Sequence, residues 1–261
     1  MLDITKHNLS IIEPYELLNG TFTITLPQYR MFQYIIGECY IKDKLEDGKF
    51  YAVSIGKYAE FFKCTHDTAY QALTTAMRKG NVPIIDLPES DFTEGAKPTK
   101  RRQFILYPAF TYDTETSTMN VRLASELVEL YNRLGEEGRS YAKYVLSHTR
   151  HMDSISSIRL FRLMNKWRWS TGVYFELDEL KRLLGFKTTE YTKWADFYRY
   201  VIKPGIEAIH KEAYLEIGMD IKKKGRKVVG IAFSAQTISK KFKKIGELNE
   251  KLNKEAFNEV G

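Results

Sequence analysis

Arginine, glutamine and lysine on an exposed helix can read and hold a nucleic acid, and this sequence sets such residues in two helical stretches and two charged loops. In the first stretch Thr68, Gln71, Thr75, Arg78 and Lys79 fall on one side of a helix, opposite Ala69, Leu73, Ala76 and Met77. In the second, Lys193, Asp196, Arg199, Tyr200 and Lys203 point away from Phe197, Val201 and Ala208. Arginine can make two parallel bonds to guanine and glutamine can do the same to adenine, so Arg199 and Gln71 are the expected base readers. Lysines serve better as phosphate anchors, which set register and carry no sequence information. The first charged loop holds Lys97, Lys100, Arg101 and Arg102. The second is Lys222, Lys223, Lys224, Arg226 and Lys227 around Gly225, five cations in six residues that repel one another unless an anion is near. A polar outer face is common to surface helices, and a charge run often serves only solubility. The weight therefore lies on the pattern occurring twice.

Other chemistries find no constellation. A nicking enzyme of the relaxase type needs a His-apolar-His metal pair beside a nucleophilic tyrosine, and His7, His66, His148, His151 and His210 supply no such pair. His148 and His151 stand three apart and could share a helical face, but no third ligand is evident. There is no Gly-x-x-x-x-Gly-Lys-Ser/Thr phosphate loop and no Gly-x-Ser-x-Gly elbow. The reading is a protein with no catalytic residue, no metal site and no cofactor.

The elements that must position these residues repeat. Ile55, Tyr58, Phe61 and Phe62 form a short apolar helical stripe, and Leu177, Leu180, Leu183 and Leu184 repeat it 122 positions on (55 to 177). Each stripe leads through a tight break, Lys63 to Thr65 or Gly185 to Lys187, into a second amphipathic segment. A basic cluster and a β-rich apolar run follow in each copy. Helix, turn, helix and basic hairpin together predict a winged helix, so the fold class expected is α+β, with two tandem winged-helix domains. The first hairpin is expected around Lys97 to Arg102, between strands at Ile84 to Leu87 and Phe104 to Tyr107, and the second at Lys222 to Lys227. The break Gly135-Glu136-Glu137-Gly138 suggests domains at 1–135 and 139–233, with a basic amphipathic tail over 234–261 that carries Ile238, Phe242, Ile245 and Leu252. The second recognition helix is expected to kink or break at Pro204.

Composition agrees. At 261 residues with 43% hydrophobic and 28% charged residues, the chain can bury two sizeable cores. The formal charge of +7 favours a polyanionic partner, mildly. Cys39 and Cys64 lack metal-ligand or redox spacing, which fits a reducing, cytoplasmic setting. No apolar run approaches a membrane span, and the N-terminus lacks the basic-then-apolar order of a signal peptide.

The second half then resembles the iteron-binding replication initiators of theta-type plasmids. The resemblance rests on Ser157-Ile-Arg-Leu-Phe-Arg-Leu-Met, on Phe175-Glu-Leu-Asp-Glu-Leu-Lys-Arg-Leu-Leu-Gly, on Asp196 to Ile209 and on Lys223-Lys-Gly-Arg-Lys-Val-Val-Gly-Ile-Ala-Phe. Asp67-Thr-Ala-Tyr-Gln-Ala-Leu and the run from Met119 to Leu134 fit the same pattern more loosely. Phe161 stands where a tyrosine is more usual, and Gly205 where a small helix former is common. The resemblance implies double-stranded DNA as partner, at origin repeats and an operator, and a homodimer in equilibrium with monomer. It also implies contacts with a host helicase and initiator, with the C-terminal half making most base contacts and the N-terminal half carrying the dimer contacts. On composition and pattern alone, a transcriptional regulator, a strand-transfer enzyme and a basic membrane-surface protein remain rivals.

Overall fold

The structure is a computed structural model and describes residues 9–40, 45–77, 82–97, 99–134, 136, 140–168 and 170–237. Arg78, Lys79, Trp169, most of the expected break at 135–138 and the tail residues after 237 lie outside the described residues, as does the side chain of Cys39.

The chain opens with strand β1 (Ser10–Pro14), a short helix α1 (Tyr15–Asn19), strand β2 (Thr21–Thr23) and helix α2 (Leu26–Ile35). Thr25 and Gln28 have the spacing of a capping box, and the Thr25 N–H does donate to Gln28 Oε1 at 2.8 Å. Strand β3 (Phe50–Ser54) runs into helix α3 (Ile55–Phe62) and then helix α4 (His66–Ala76). Two hairpins follow, β4 (Ile84–Pro88) with β5 (Arg101–Ile105), and β6 (Ala109–Asp113) with β7 (Thr118–Arg122). Helix α5 (Ser125–Asn132) and strand β8 (Tyr141–Val145) come next.

The second copy begins with helix α6 (Ile155–Trp167), then strand β9 (Val173–Glu176) and helix α7 (Leu177–Leu184). Helices α8 (Trp194–Phe197) and α9 (Lys203–Glu212) are joined by a π-helical turn, and strands β10 (Leu215–Lys224) and β11 (Lys227–Thr237) close the fold. Helices α3 and α7 coincide under the offset at both ends (55 to 177, 62 to 184). So do their caps. Lys63 and Gly185 both take left-handed backbone, at φ 53° and 94°. That conformation turns the chain sharply and costs a side chain more than it costs glycine.

Strand order repeats as well. In one sheet the order is β3-β7-β6, in the other β9-β11-β10, so the strand before each helix pair bonds to the second strand of a following hairpin. By that topology the first wing is β6–β7. The basic cluster at Lys97 to Arg102 belongs to a different hairpin, β4–β5, which joins β2 in its own three-stranded sheet. The expected first wing is therefore misplaced: cations drew attention to the wrong loop, while the hairpin that completes the sheet has a turn without any.

Of the kink or break expected at Pro204, the break does not occur. Lys203 N–H bonds back to Tyr198 O, the wide spacing of a π turn, and the chain stays helical from Trp194 to Glu212. A π turn ahead of the proline accommodates the missing N–H without a break. At Gly205 a Cβ would come within 2.9 Å of Leu160 Cδ2, so the glycine lets α9 lie close on α6.

Helix α6 is the shared spine. It packs on α7, α9 and β11 and also touches α1. Strand β8 pairs antiparallel with β1, from Ser10 opposite Val145 to Pro14 opposite Tyr141. Arg162, 2% exposed, grips the 1%-exposed Glu13 with Nε and Nη2 and also donates to Leu17 O at 3.3 Å. Burial pushes the Glu13 carboxyl above its ordinary range, while the Arg162 fork and the Tyr144 hydroxyl pull it down. Further bonds run the same way: Arg30 to the carbonyls of Arg150 and Met152, Arg159 to Phe22 O, and Arg182 to Asn19 O. Phe161 is fully buried, edge-on to Tyr144 and His148.

Candidate nucleic-acid interface

Each exposed face stands on a buried one. On α4, Ala69, Leu73 and Ala76 are buried, Met77 is partly buried against the core, Thr68 and Gln71 are exposed and Thr75 is half-buried. Thr65 caps this helix, accepting from Thr68 N–H at 3.1 Å and exchanging a hydroxyl bond with Thr68 at 2.8 Å. Thr68 is thus tied to the cap and Gln71 is the freer reader. Tyr70 stacks on Tyr112 at 5.5 Å, which locks α4 to strand β6 of its wing.

In the second copy Phe197 and Val201 are buried, and Lys193, Asp196, Arg199, Tyr200 and Lys203 are exposed. Arg199 and Tyr200 lie in the π turn, where the backbone is wider, and the Arg199 guanidinium sits 5.4 Å over the Tyr200 ring. Tyr200 is 59% exposed, so this stack stands in solvent rather than in the core. Lys203 makes a loose ion pair with Glu207 at 3.9 Å. Trp194 packs on Phe197 and Tyr198. The α7–α8 turn is held from inside: Lys181 Nζ donates to Thr188 O at 3.3 Å, and Phe186 meets Tyr191 and Phe197 edge-on.

The two charged loops differ in what they leave free. Lys222 to Lys227 forms the tip of β10–β11, with every residue exposed and Gly225 in the turn. A register shift between Lys222 and Lys223 bends this tip, and Lys222 pairs with Asp220. The other lysines and Arg226 point to water. In the first loop Lys97 and Lys100 are exposed, but Arg101 pairs with Asp86 and Arg102 forks onto Glu89 while stacking on Phe92 at 4.3 Å. Those arginines brace their hairpin. The Arg102 fork and the Thr93 hydroxyl hold the Glu89 carboxyl below its ordinary range.

The first wing tip is built differently. Asp113 accepts from the Glu115 and Thr116 N–H groups at 2.9 and 3.2 Å, and the Thr116 side chain and these bonds keep its carboxyl low. Phe110 on β6 is 46% exposed. Sequence reasoning passed over this strand, though Phe110 and Tyr112 alternate with Thr111 as a strand should.

Among the described residues no group of three His, Cys, Asp or Glu side chains could hold a metal ion. His148 packs against the rings of Phe161 and Tyr214, and His151 is exposed. Among the described residues no helix is long and apolar enough to cross a membrane.

Comparison with known proteins fits this geometry. The family description "Initiator Replication protein, WH1" matches residues 10–165, and "Initiator Rep protein, WH2" matches residues 176–235. The chain belongs to the initiator replication protein family. The crystal structure of the Pi initiator protein in complex with iteron DNA superposes on this initiator with a TM-score of 0.69. Identity is 18%, covering 91% of this chain and all of the other, which establishes a shared fold. The WH1 domain of MSBI1.176, a replication protein isolated from a multiple sclerosis patient, is 22% identical over 42% of this chain and 81% of its own, at a TM-score of 0.31. No curated protein matches. Both winged helices of the initiator follow the family pattern, and the first family segment ends within α6, the helix that both halves pack against.

Proposed function

We propose that this protein initiates plasmid replication by binding repeated origin sequences, the iterons, as double-stranded DNA. The observation that carries the reading is the doubled unit itself. Strand, helix, left-handed turn, helix and hairpin occur twice with one strand order, and each copy presents a polar helical face over a buried apolar one. Family membership and the fold shared with an initiator crystallised on iteron DNA support the same target.

The chemistry is binding alone. Arg199 reads guanine and Gln71 reads adenine through paired hydrogen bonds in the major groove. Lys193, Lys203, Lys97, Lys100, Arg78, Lys79 and the Lys222 to Lys227 wing hold phosphates. By the family resemblance the second copy, over 139–233, makes the larger share of base contacts, while its free cations hold phosphates. The first, over 1–135, adds contacts and carries the dimer surface. Held on its repeats, the protein opens adjacent AT-rich DNA and recruits a host helicase and initiator in the cytoplasm. As a dimer it represses its own gene.

Selection from random duplexes at two salt concentrations tests this. A motif spanning two adjacent major grooves, bound with a steep salt dependence, is expected. Binding that tracks ionic strength with no enriched motif overturns the reading, and a motif bound without any duplex melting leaves a repressor in place of an initiator.

A further inference from the structure

A cleft of about 320 Å³ separates the start of α2 from the start of α6, with Phe22 on one side and Ser154, Ile155, Ser156 and Arg159 on the other. The first turn of α6 opens into it. Ser154 Oγ accepts from Ser157 N–H at 3.1 Å, and Ser154 O accepts from Ile158 N–H. The Ser154 hydroxyl also shares hydrogen bonds with the Ser157 hydroxyl at 2.7 Å and the Ser156 hydroxyl at 3.1 Å. In the latter Ser154 can be the donor, which leaves the Ser156 proton to the cleft. The N–H groups of Ile155 and Ser156 have no acceptor among the described residues. They head a thirteen-residue helix whose aligned peptide dipoles make that end electropositive.

Arg159 is an independent sign. It lines the same cleft and is 3% exposed, yet no carboxylate pairs with it among the described residues. Its Nη2 donates to Phe22 O at 3.1 Å and its guanidinium lies 5.1 Å over the Phe22 ring, but Nε is buried with no acceptor and Nη1 makes no hydrogen bond. A Cβ on Gly185 would stand 2.1 Å from Nη1, so only glycine leaves the guanidinium room there. The contrast with Arg162, one turn along and gripped by Glu13, is sharp. Burial pushes Arg159 down to about 10, the behaviour of a desolvated cation that lacks its anion. Asp153 also lines the cleft, but it is exposed and its charge is screened by water.

We propose that this cleft binds a phosphate-class oxyanion, with Arg159 as charged partner and the Ile155 and Ser156 amides and the Ser156 hydroxyl as neutral donors. A tetrahedral oxyanion offers several acceptor oxygens, enough to meet a guanidinium and a helix start together. A DNA phosphodiester and free phosphate share that chemistry.

The test uses the full-length protein without DNA, comparing thermal unfolding in phosphate and in chloride at equal ionic strength and pH, with phosphorus NMR line-broadening as a second readout. Phosphate is expected to raise Tm saturably, as a ligand of the folded state must. Arg159→Met should abolish the shift, but it removes a buried side chain. Ser156→Glu keeps the test decisive, because a carboxylate in the first helical turn suits the dipole and occupies the cleft with a tethered anion. It should keep Tm in chloride at or above the wild-type value while weakening phosphate binding about tenfold or more. Equal wild-type Tm in the two salts, or an undiminished phosphate response in Ser156→Glu, overturns the site. Adding stoichiometric duplex DNA then separates the sources: phosphate displaced means a DNA phosphodiester occupies the cleft, and phosphate retained means a free anion does.

Discussion

At the scale of single residues, the base-reading and phosphate-holding roles make opposite demands. Arg199 is exposed, stacked on Tyr200 and unpaired by any carboxylate among the described residues, so its fork is pre-oriented and free. Arg199→Ala should cost about 1 to 3 kcal/mol on the selected motif and relax base preference, while Lys224→Ala should weaken all DNA evenly and lower the salt slope by about one. Titration of each variant on specific and random duplexes checks this, and equal losses from both variants on both DNAs would defeat the assignment. Asp91 makes a second residue-scale case. Partial burial and the nearby Glu16 charge push its carboxyl up to about 6. The folded state therefore holds this proton more tightly than the unfolded chain does. The stability it contributes is fully present below about 3.8 and is lost as pH rises to about 6. Asp91→Asn should flatten that slope and gain about 1 kcal/mol at neutral pH, less than the full shift implies because water screens the group. Denaturant unfolding at pH 4, 5, 6 and 7 measures it, and a slope unchanged by the substitution argues against this cause.

At the scale of elements, the repeat position 63/185 offers a direct comparison. Nature has placed lysine in one copy and glycine in the other on the same left-handed backbone. Lys63→Gly should stabilise the protein by up to about 1 kcal/mol, since the left-handed turn costs a lysine and not a glycine. An unchanged or lower Tm would mean that Lys63 gains from contacts what its backbone loses. This level of structure was also the most legible in the sequence. The stripes at Ile55 to Phe62 and Leu177 to Leu184 predict α3 and α7 because a short amphipathic helix writes its buried face at every third and fourth residue. Thr68, Gln71, Arg199, Tyr200 and Lys203 proved exposed for the same reason. The wing of the first copy was not legible, because charge marks a loop as soluble without saying which sheet it joins. That choice rests on the pairing of Phe50 to Ser54 with Thr118 to Arg122. The π turn before Pro204 escaped too, since local propensity sees the missing N–H and not the helix packing that holds the chain together across it.

At the scale of the whole molecule, the two winged helices share a core and should not unfold as independent modules. No periodicity or motif singles out Glu13 in the sequence, and only the fold brings it to Arg162. Calorimetry should give one transition, and two resolved peaks would refute the shared spine. Arg162→Met should cost about 3 to 5 kcal/mol, because it strands a buried carboxylate without a partner. The paired variant Glu13→Gln/Arg162→Met should recover much of that loss, which distinguishes the orphaned charge from a simple packing defect.

The pairing of β1 with β8 also bears on how the protein is made. A ribosome adding about 5 to 20 residues per second needs roughly 7 to 30 seconds to travel from Glu13 to Arg162, 149 positions later. For most of that interval, until β8 (Tyr141–Val145) has been made, the first strand has no edge to join, and its glutamate waits to the end for its counter-charge. The N-terminal winged helix is thus synthesised first and completed late, and a transcript cut short before β8 would release a half whose first strand exposes its edge to its neighbours.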